Sequence, residues 1–432
     1  MAVLMLKCVK GSGFMSCITV WGKKRLSGSV PIQGAKNSVL PILSATLLTN
    51  HSCVIHNCPN ISDVDASMGI LKHVGCTVTG QNGSLVVDSS KVTCRSIPEE
   101  LMGEMRSSIV FLAAILSRCG EAELSFPGGC ELGPRPIDLH LKALCQMGAV
   151  VEEAHGKLFC FLADGYFKGA EIVLPIPSVG ATENIMIAAT LAKGTTMIRN
   201  AAREPEIEDL AAFLNACGGK VQGSGESTIV IEGVPSLSGC EHTVIPDRIV
   251  AATYLSAIAV SGGDGQITNV NSAHIYPVLP FFRQSGCDIT EQGSIVRIKA
   301  PSRLSSLSHI VTGYYPGFPT DAQPIIMPMA TVAKGTSTFV ENIFENRFHH
   351  VHDLVKMGAK IKVEGRMAVV EGVSSLSGTT VKAKDLRGGA GLVLAGLCAD
   401  GTTKIEQPRF IDRGYQNIVF DLKSLGAEIQ RG

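Results

Sequence analysis

Aromatic residues are scarce in this chain: they make up 5% of its 432 residues, with a single Trp. Large rings therefore cannot dominate the cores, and Ala, Gly and small β-branched residues must fill them. That composition suits helices packed closely together. Net charge is missing as well, with 38 basic and 38 acidic residues. A general nucleic-acid binder carries a basic face, so no nucleic-acid partner is expected, and any anion site must be a local basic cluster offset elsewhere. Long apolar runs are also absent. The stretch 109–116 is typical and falls well short of the ~18–20 residues of a membrane span. The 14 cysteines form no CxxC pair, and scattered thiols in a large chain point to a reduced, cytoplasmic setting. Residues 1–17 lack a long apolar h-region and a small-residue cleavage site; they read as a flexible leader, with Met15 an alternative start. There is no Walker Gly-x4-Gly-Lys-Ser/Thr, no post-strand GxGxxG and no GxSxG elbow. His349, His350 and His352 lack the geometry of a zinc site.

What is present is a repeat. An apolar helix-like stretch rich in small residues is followed by Gly-Thr-Thr or an equivalent, a short strand, a polar loop, a second helix and a closing Gly-Ala. The second half of this unit recurs at 51–78, 121–151, 195–221, 265–289, 336–361 and 402–429, a period of about 70 residues. The opening helices are expected at 36–48, 105–118, 178–193, 246–261, 320–334 and 386–399. They are apolar nearly all round and so must be buried on every side. The second helices are amphipathic, with Glu208 and Asp209 on one side of 207–214. Six such units indicate an α/β protein with pseudo-symmetry, helices inside and sheets outside, divided three and three near 240–247. The strand-like segment 18–34 can supply the piece missing from either half.

Comparison between units singles out two positions. The first is the start of each buried helix, where Lys36-Asn37, Arg106-Ser107, Ser178-Val179-Gly180, Asp247-Arg248, Thr320-Asp321 and Asp385-Leu386-Arg387 stand. Aspartate is ordinary there, and Thr320-Asp321-Ala322-Gln323 reads as a capping box. Lys36, Arg106 and Arg387 are less ordinary. A cation at a positive helix end costs about 0.3–1 kcal/mol unless an anion offsets it. Either an anionic ligand or a salt bridge to a neighbouring domain would do so. The second position is the loop before the second helix, which carries Cys130 and Arg135, Arg203, Arg347 and Arg413. Arginine suits two-point contact with carboxylate or phosphate. Each alone reads equally as a solvated surface residue, but their recurrence favours a ligand with several negative charges. The loop 126–140 holds three Gly and three Pro around Cys130, hinged yet locally stiff as a lid over a site is. Cys130 reads either as a small buried residue or as a thiol whose pKa nearby positive charge lowers.

These motifs carry a resemblance to a known family. Gly34-Ala35-Lys36-Asn37, Met105-Arg106-Ser107-Ser108, Pro127-Gly128-Gly129-Cys130, Gly133-Pro134-Arg135-Pro136-Ile137-Asp138-Leu139-His140 and Ser178-Val179-Gly180-Ala181-Thr182 resemble the UDP-N-acetylglucosamine enolpyruvyl transferase family. So do Ala202-Arg203-Glu204-Pro205, Phe318-Pro319-Thr320-Asp321, Phe344-Glu345-Asn346-Arg347 and Ile411-Asp412-Arg413-Gly414. The likeness runs from about Ile18 onward. The sister family of shikimate-pathway transferases shares the fold but lacks the Gly-Gly-Cys loop.

The resemblance implies a two-domain inside-out α/β barrel of six pseudo-symmetric repeats, three per domain: 35–245 as the first domain and 18–34 plus 246–432 as the second. It implies transfer of an enolpyruvyl group from phosphoenolpyruvate to the 3′-hydroxyl of UDP-N-acetylglucosamine with release of phosphate, without metal or organic cofactor. By motif, Lys36, Arg135, Arg347 and Arg413 hold phosphoenolpyruvate, with Asn37, Arg106 and Arg387 beside it. Cys130 matches the thiol that protonates C3 and is alkylated by the antibiotic fosfomycin. Asp321 matches the carboxylate that accepts the hydroxyl proton, and Lys36 and Arg413 complete the catalytic set. Asn37, Arg106, Arg135, Pro136, Ile137, Asp138, Leu139, His140, Ser178, Val179, Gly180, Asp321 and Ile343 match the nucleotide-sugar contacts. Departures from the family pattern are Ile176 and Phe410, where some members have Lys and His, and Gly388-Gly389, which should loosen the helix after Arg387. The competing readings are a shikimate-type transferase and a non-catalytic paralogue that binds the nucleotide sugar.

Overall fold

The structure is a computed structural model that describes residues 16–81, 83–125 and 137–432; the side chain of Arg106 also lies outside the description. The expected apolar helices form as Lys36–Ala45, Phe111–Cys119, Val179–Thr190, Arg248–Val260, Gln323–Val332 and Leu386–Cys398. Short 3-10 turns extend three of them, at Thr46–Leu48, Arg106–Val110 and Thr320–Ala322. All-round apolarity has the predicted consequence. Ala181 through Thr190 and Ile249 through Val260 are buried without a break, and each fully buried Ile or Leu contributes about 1.5–3 kcal/mol.

Each helix leads into a strand at the centre of a four-stranded sheet, and the same mixed pairing recurs six times. In the third unit Thr195–Arg199 pairs in parallel with Glu171–Val173 and antiparallel with Thr228–Glu232. The recurrence extends to single residues. Asn57, Asn200 and Asn269 each follow the central strand with φ of 52–56°, a left-handed conformation that Asn tolerates because its side chain bonds locally. Their amides donate to the carbonyls of Val244, Leu174 and Ile32, at 2.8, 2.9 and 2.7 Å. Gly194, Gly335 and Gly401 adopt φ of 99°, 109° and 88° where helix turns into strand, which is why Gly recurs before Thr.

Buried apolar residues fall into two clusters. One runs from Ala35 to Val244. The other combines Ile18–Ile32 with Ile249–Ile429. The leading strands explain this split. Cys17–Trp21 pairs with Thr402–Glu406 and Glu428–Arg431, and Ser27–Pro31 pairs with Asp264–Thr268. The first strand starts one residue inside the stretch read as a leader, because Cys17 exchanges two backbone hydrogen bonds of 3.0 Å with Gly432. The chain crosses between cores twice, and the crossings pair with each other. Ala35 N–H donates to Ile245 and Asp247 N–H donates to Gln33, at 2.8 and 2.9 Å. A side chain at Gly34 would stand 1.8 Å from the Asn57 carbonyl, so only Gly allows this approach. Gly388 and Gly389 do not loosen their helix. It runs unbroken from Leu386 to Cys398, and Cβ atoms there would meet Asp385 Oδ2 at 2.5 Å and Ile411 at 2.9 Å. Among the described residues no helix is long and apolar enough to cross a membrane.

Candidate active site

The paired crossings place two helix starts side by side. Asp247 caps the Arg248–Val260 helix, accepting from Ile249 and Val250 N–H at 2.8 and 3.0 Å. Its other oxygen accepts from Lys36 N–H at 3.1 Å, in the opposite core. One carboxylate therefore fixes the first turns of a helix from each core, where free N–H groups favour negative charge.

The Lys36 side chain turns to Asp63, with Nζ 2.6 Å from Oδ2. Arg413, from the other core, forks onto the same carboxylate at 2.9 and 3.2 Å. Burial alone would raise the Asp63 pKa, but Lys36 and Arg413 outweigh it and hold the carboxyl below its ordinary value. Burial lowers the Lys36 pKa; Asp63 opposes this, while Arg413 and Arg387 add to it. Both partners thus shift downward.

Asp321 stands between two arginines that are each 2% exposed. Arg347 Nη2 lies 2.7 Å from one oxygen and Arg387 Nε 3.3 Å from the other. The capping-box reading of Asp321 fails for a physical reason: Thr320 donates its hydroxyl to Glu341 at 3.0 Å instead of capping, and no side chain caps this turn. Arg347 also donates twice to the Thr320 carbonyl, at 3.2 and 3.1 Å. Burial opposes the Arg387 charge, but Tyr415, Asp321 and Asp247 overcome it and raise its pKa. Its guanidinium lies 5.5 Å from the Tyr415 ring centroid, and its buried Nη1 has no hydrogen-bond partner among the described residues. Lys36, Arg347, Arg387 and Arg413 are therefore held at one junction against Asp63 and Asp321. For the buried members, Arg347, Arg387 and Asp63, each charge acts more strongly than it would in water.

The other expected residues divide. His140 and Gly180 meet: a Cβ on Gly180 would stand 2.9 Å from His140 Cε1, and His140 Nδ1 lies 2.7 Å from Asn184 Nδ2. Ser178 caps the helix that carries Val179 and Gly180, accepting from Ala181 N–H at 3.4 Å. Ile137 precedes the Asp138–Gln146 helix, which carries Leu139; Asp138 pairs outward with Lys142 at 3.1 Å. Ile343 N–H donates to Glu341 at 2.8 Å. Asn37 is half-buried beside Lys36. Ile176, in the approach to Ser178, is 47% exposed. Arg203 serves structure, donating to the Gly225 carbonyl at 3.0 Å. Cys130, Arg135 and Pro136 lie outside the described residues, as does the Arg106 side chain. Sequence reasoning missed Asp63, which looks like an ordinary first-turn acid of the Ser62–His73 helix. It also missed Glu341, 1% exposed, which accepts from Thr312, Thr320, Ile343 and Phe344.

Comparison with known proteins bears on the family and the fold. A family model described as EPSP synthase (3-phosphoshikimate 1-carboxyvinyltransferase) matches residues 20–422. The enolpyruvyl transferase NikO from Streptomyces tendae superposes with a TM-score of 0.87 at 24% identity, covering 96% of this chain and 98% of that one. EPSP synthase from Acinetobacter baumannii gives 0.74 at 19% identity, over 96% and 99%. Fold and site thus define an enzyme of the carboxyvinyltransferase class. A UDP-N-acetylglucosamine 1-carboxyvinyltransferase 2 of Caldanaerobacter subterraneus subsp. tengcongensis is 50% identical over 95% of this chain and 98% of its own. One from Finegoldia magna is 48% identical over 96% and 99%. The chain belongs to the UDP-N-acetylglucosamine 1-carboxyvinyltransferase family.

Proposed function

We propose that this chain transfers the enolpyruvyl group of phosphoenolpyruvate to the 3′-hydroxyl of UDP-N-acetylglucosamine, releasing phosphate, as the first committed step of peptidoglycan synthesis. The observation that carries the reading is Asp321 pinned between Arg347 and Arg387, beside Lys36 and Arg413 at the junction of the two cores. Phosphoenolpyruvate carries about three negative charges and needs several preorganised cations. Lys36, Arg135, Arg347 and Arg413 hold it, with Asn37, Arg106 and Arg387 alongside.

The reaction is an addition followed by an elimination. The sugar oxygen attacks C2 while Asp321 takes the hydroxyl proton and the Cys130 thiol gives a proton to C3. Loss of a C3 proton and of phosphate then restores the double bond. Lys36 and Arg413 balance the charge on the phosphate. Ile137 to His140, Ser178 to Gly180 and Ile343 orient the nucleotide sugar, together with Arg106, Arg135 and Pro136. The same reading makes residues 35–245 one domain and 18–34 with 246–432 the other, an inside-out α/β barrel of three repeats each, closing over the substrates. It also makes Cys130 the target of fosfomycin, and it places the enzyme in the cytoplasm.

The family model's own description favours one alternative, a shikimate-type transferase. Phosphate release from phosphoenolpyruvate separates the two. Turnover is expected with UDP-N-acetylglucosamine and not with shikimate 3-phosphate; turnover only with the latter overturns the proposal.

A further inference from the structure

Away from this site, three cysteines from distant parts of the chain meet at the edge of the first core. Cys53 lies on the Ser52–His56 strand, Cys217 ends the Pro205–Ala216 helix, and Cys240 directly precedes the Glu241–Thr243 strand. Their three sulfur atoms all lie within 4.8 Å of one another, and Cys217 Sγ is 3.2 Å from Cys240 Sγ. No other group of three or more potential metal ligands is drawn together in this way among the described residues.

The backbone holds these sulfurs in place. Val54 N–H donates to the Cys240 carbonyl at 2.9 Å, and Ser238 N–H donates to the Cys217 carbonyl at 2.8 Å. The Ser238 hydroxyl donates to that carbonyl as well, at 3.0 Å. A Cβ on Gly239 would stand 2.1 Å from the Ser52 carbonyl, so only Gly lets the segment before Cys240 come this close to the strand of Cys53. Cys53 and Cys217 are buried while Cys240 is half-buried. Cys240 lines an open depression with His51, Ser52 and Glu241, which gives access from solvent. Packing alone does not require sulfur at all three points, since Cys in a core behaves as a small apolar residue.

We propose that Cys53, Cys217 and Cys240 form a three-sulfur site for a soft d10 cation, with Cu(I) the best-matched occupant. Thiolates select soft cations. Metal–sulfur bonds of about 2.3 Å set ligand sulfurs roughly 3.7–4 Å apart in tetrahedral or trigonal geometry, so the triangle needs only sub-ångström adjustment. A structural zinc ion takes four ligands, whereas Cu(I) is content with three. On binding, each thiol that becomes a ligand releases its proton to solvent. The bound ion would tie together the first strand, the last helix and the closing strand of the first core.

The test is an anaerobic titration of the full reduced chain with Cu(I), in competition with a chromophoric Cu(I) chelator. Cys53→Ser, Cys240→Ser and the exposed control Cys145→Ser are titrated in parallel. One tight equivalent is expected in the parent and in Cys145→Ser, weakened about 100-fold or more in the other two. Cu(I) should also raise the melting temperature of the parent but not of Cys240→Ser, whose half-buried position keeps the metal-free variant folded. Equal titrations for the parent, Cys53→Ser and Cys240→Ser would overturn the site. So would a reduced parent that binds no Cu(I) while mild oxidation joins Cys217 to Cys240, which would make the cluster a redox pair.

Discussion

Replacing Asp63 with Asn tests whether the junction of the two cores is governed by charge. The side chain keeps its size and loses its charge. Asp63 is 2% exposed, Lys36 11% and Arg413 27%. Removing one partner of a buried ion pair costs about 3–5 kcal/mol, because the other charge is left uncompensated. Solvent already screens part of Arg413, so the lower end applies, about 3 kcal/mol. For cores of this size, where each kcal/mol shifts the midpoint by roughly 2–4 °C, the melting temperature of D63N should fall by about 6–12 °C. Acidity should narrow the difference. The folded Asp63 pKa lies below its unfolded value. Its contribution is therefore complete above about pH 4 and is lost as pH falls through the depressed folded value. Differential scanning fluorimetry from pH 7 to pH 3, with and without phosphoenolpyruvate, makes the measurement. The substrate's anionic groups should replace the missing charge, so the ligand should raise the midpoint of D63N more than that of the parent. Equal midpoints at pH 7 without ligand, or an equal rise with it, would refute the reasoning.

Asp321→Asn should lower kcat for phosphate release about 10²–10⁴-fold while calorimetry shows UDP-N-acetylglucosamine still bound; a lost kcat with lost binding would make Asp321 a residue that holds the sugar rather than the base. Gly180→Ala should displace His140, given the 2.9 Å approach, and raise KM for the nucleotide sugar about tenfold or more with little change in melting temperature. Cys130→Ser should lose alkylation by fosfomycin in intact-mass spectra, together with most turnover; undiminished alkylation would place the target at another of the 14 cysteines.

The inner helices were legible because their signal is local: a run such as 185–192 has no polar face and only one place to go. Lys36 and Arg387 were legible because a cation at a positive helix end contradicts its own surroundings. Asp63 was not. Its partners stand 27 and 350 positions away, and an acid in the first turn of a helix satisfies every local rule. Asp321 was ambiguous for the same reason, since the capping-box pattern and the catalytic pattern share one residue. The Thr320 hydroxyl's choice of Glu341 removes the capping box alone. Gly388 and Gly389 misled because propensity counts the entropy of glycine but not the neighbours that glycine admits.

The strand Cys17–Trp21 has partners at Thr402–Glu406 and Glu428–Arg431. This makes time a variable in how the protein is born. A ribosome adding ~5–20 residues per second needs roughly 20–80 s to make the intervening chain. Throughout that interval Cys17–Trp21 has no partner, while everything needed for the core from Ala35 to Val244 and the partner of Ser27–Pro31 at Asp264–Thr268 emerge midway. Ile18 and Val20, both fully buried at the end, must spend that wait without their strand partners. A chaperone that binds nascent apolar segments would find its longest-lived client at the front of the chain.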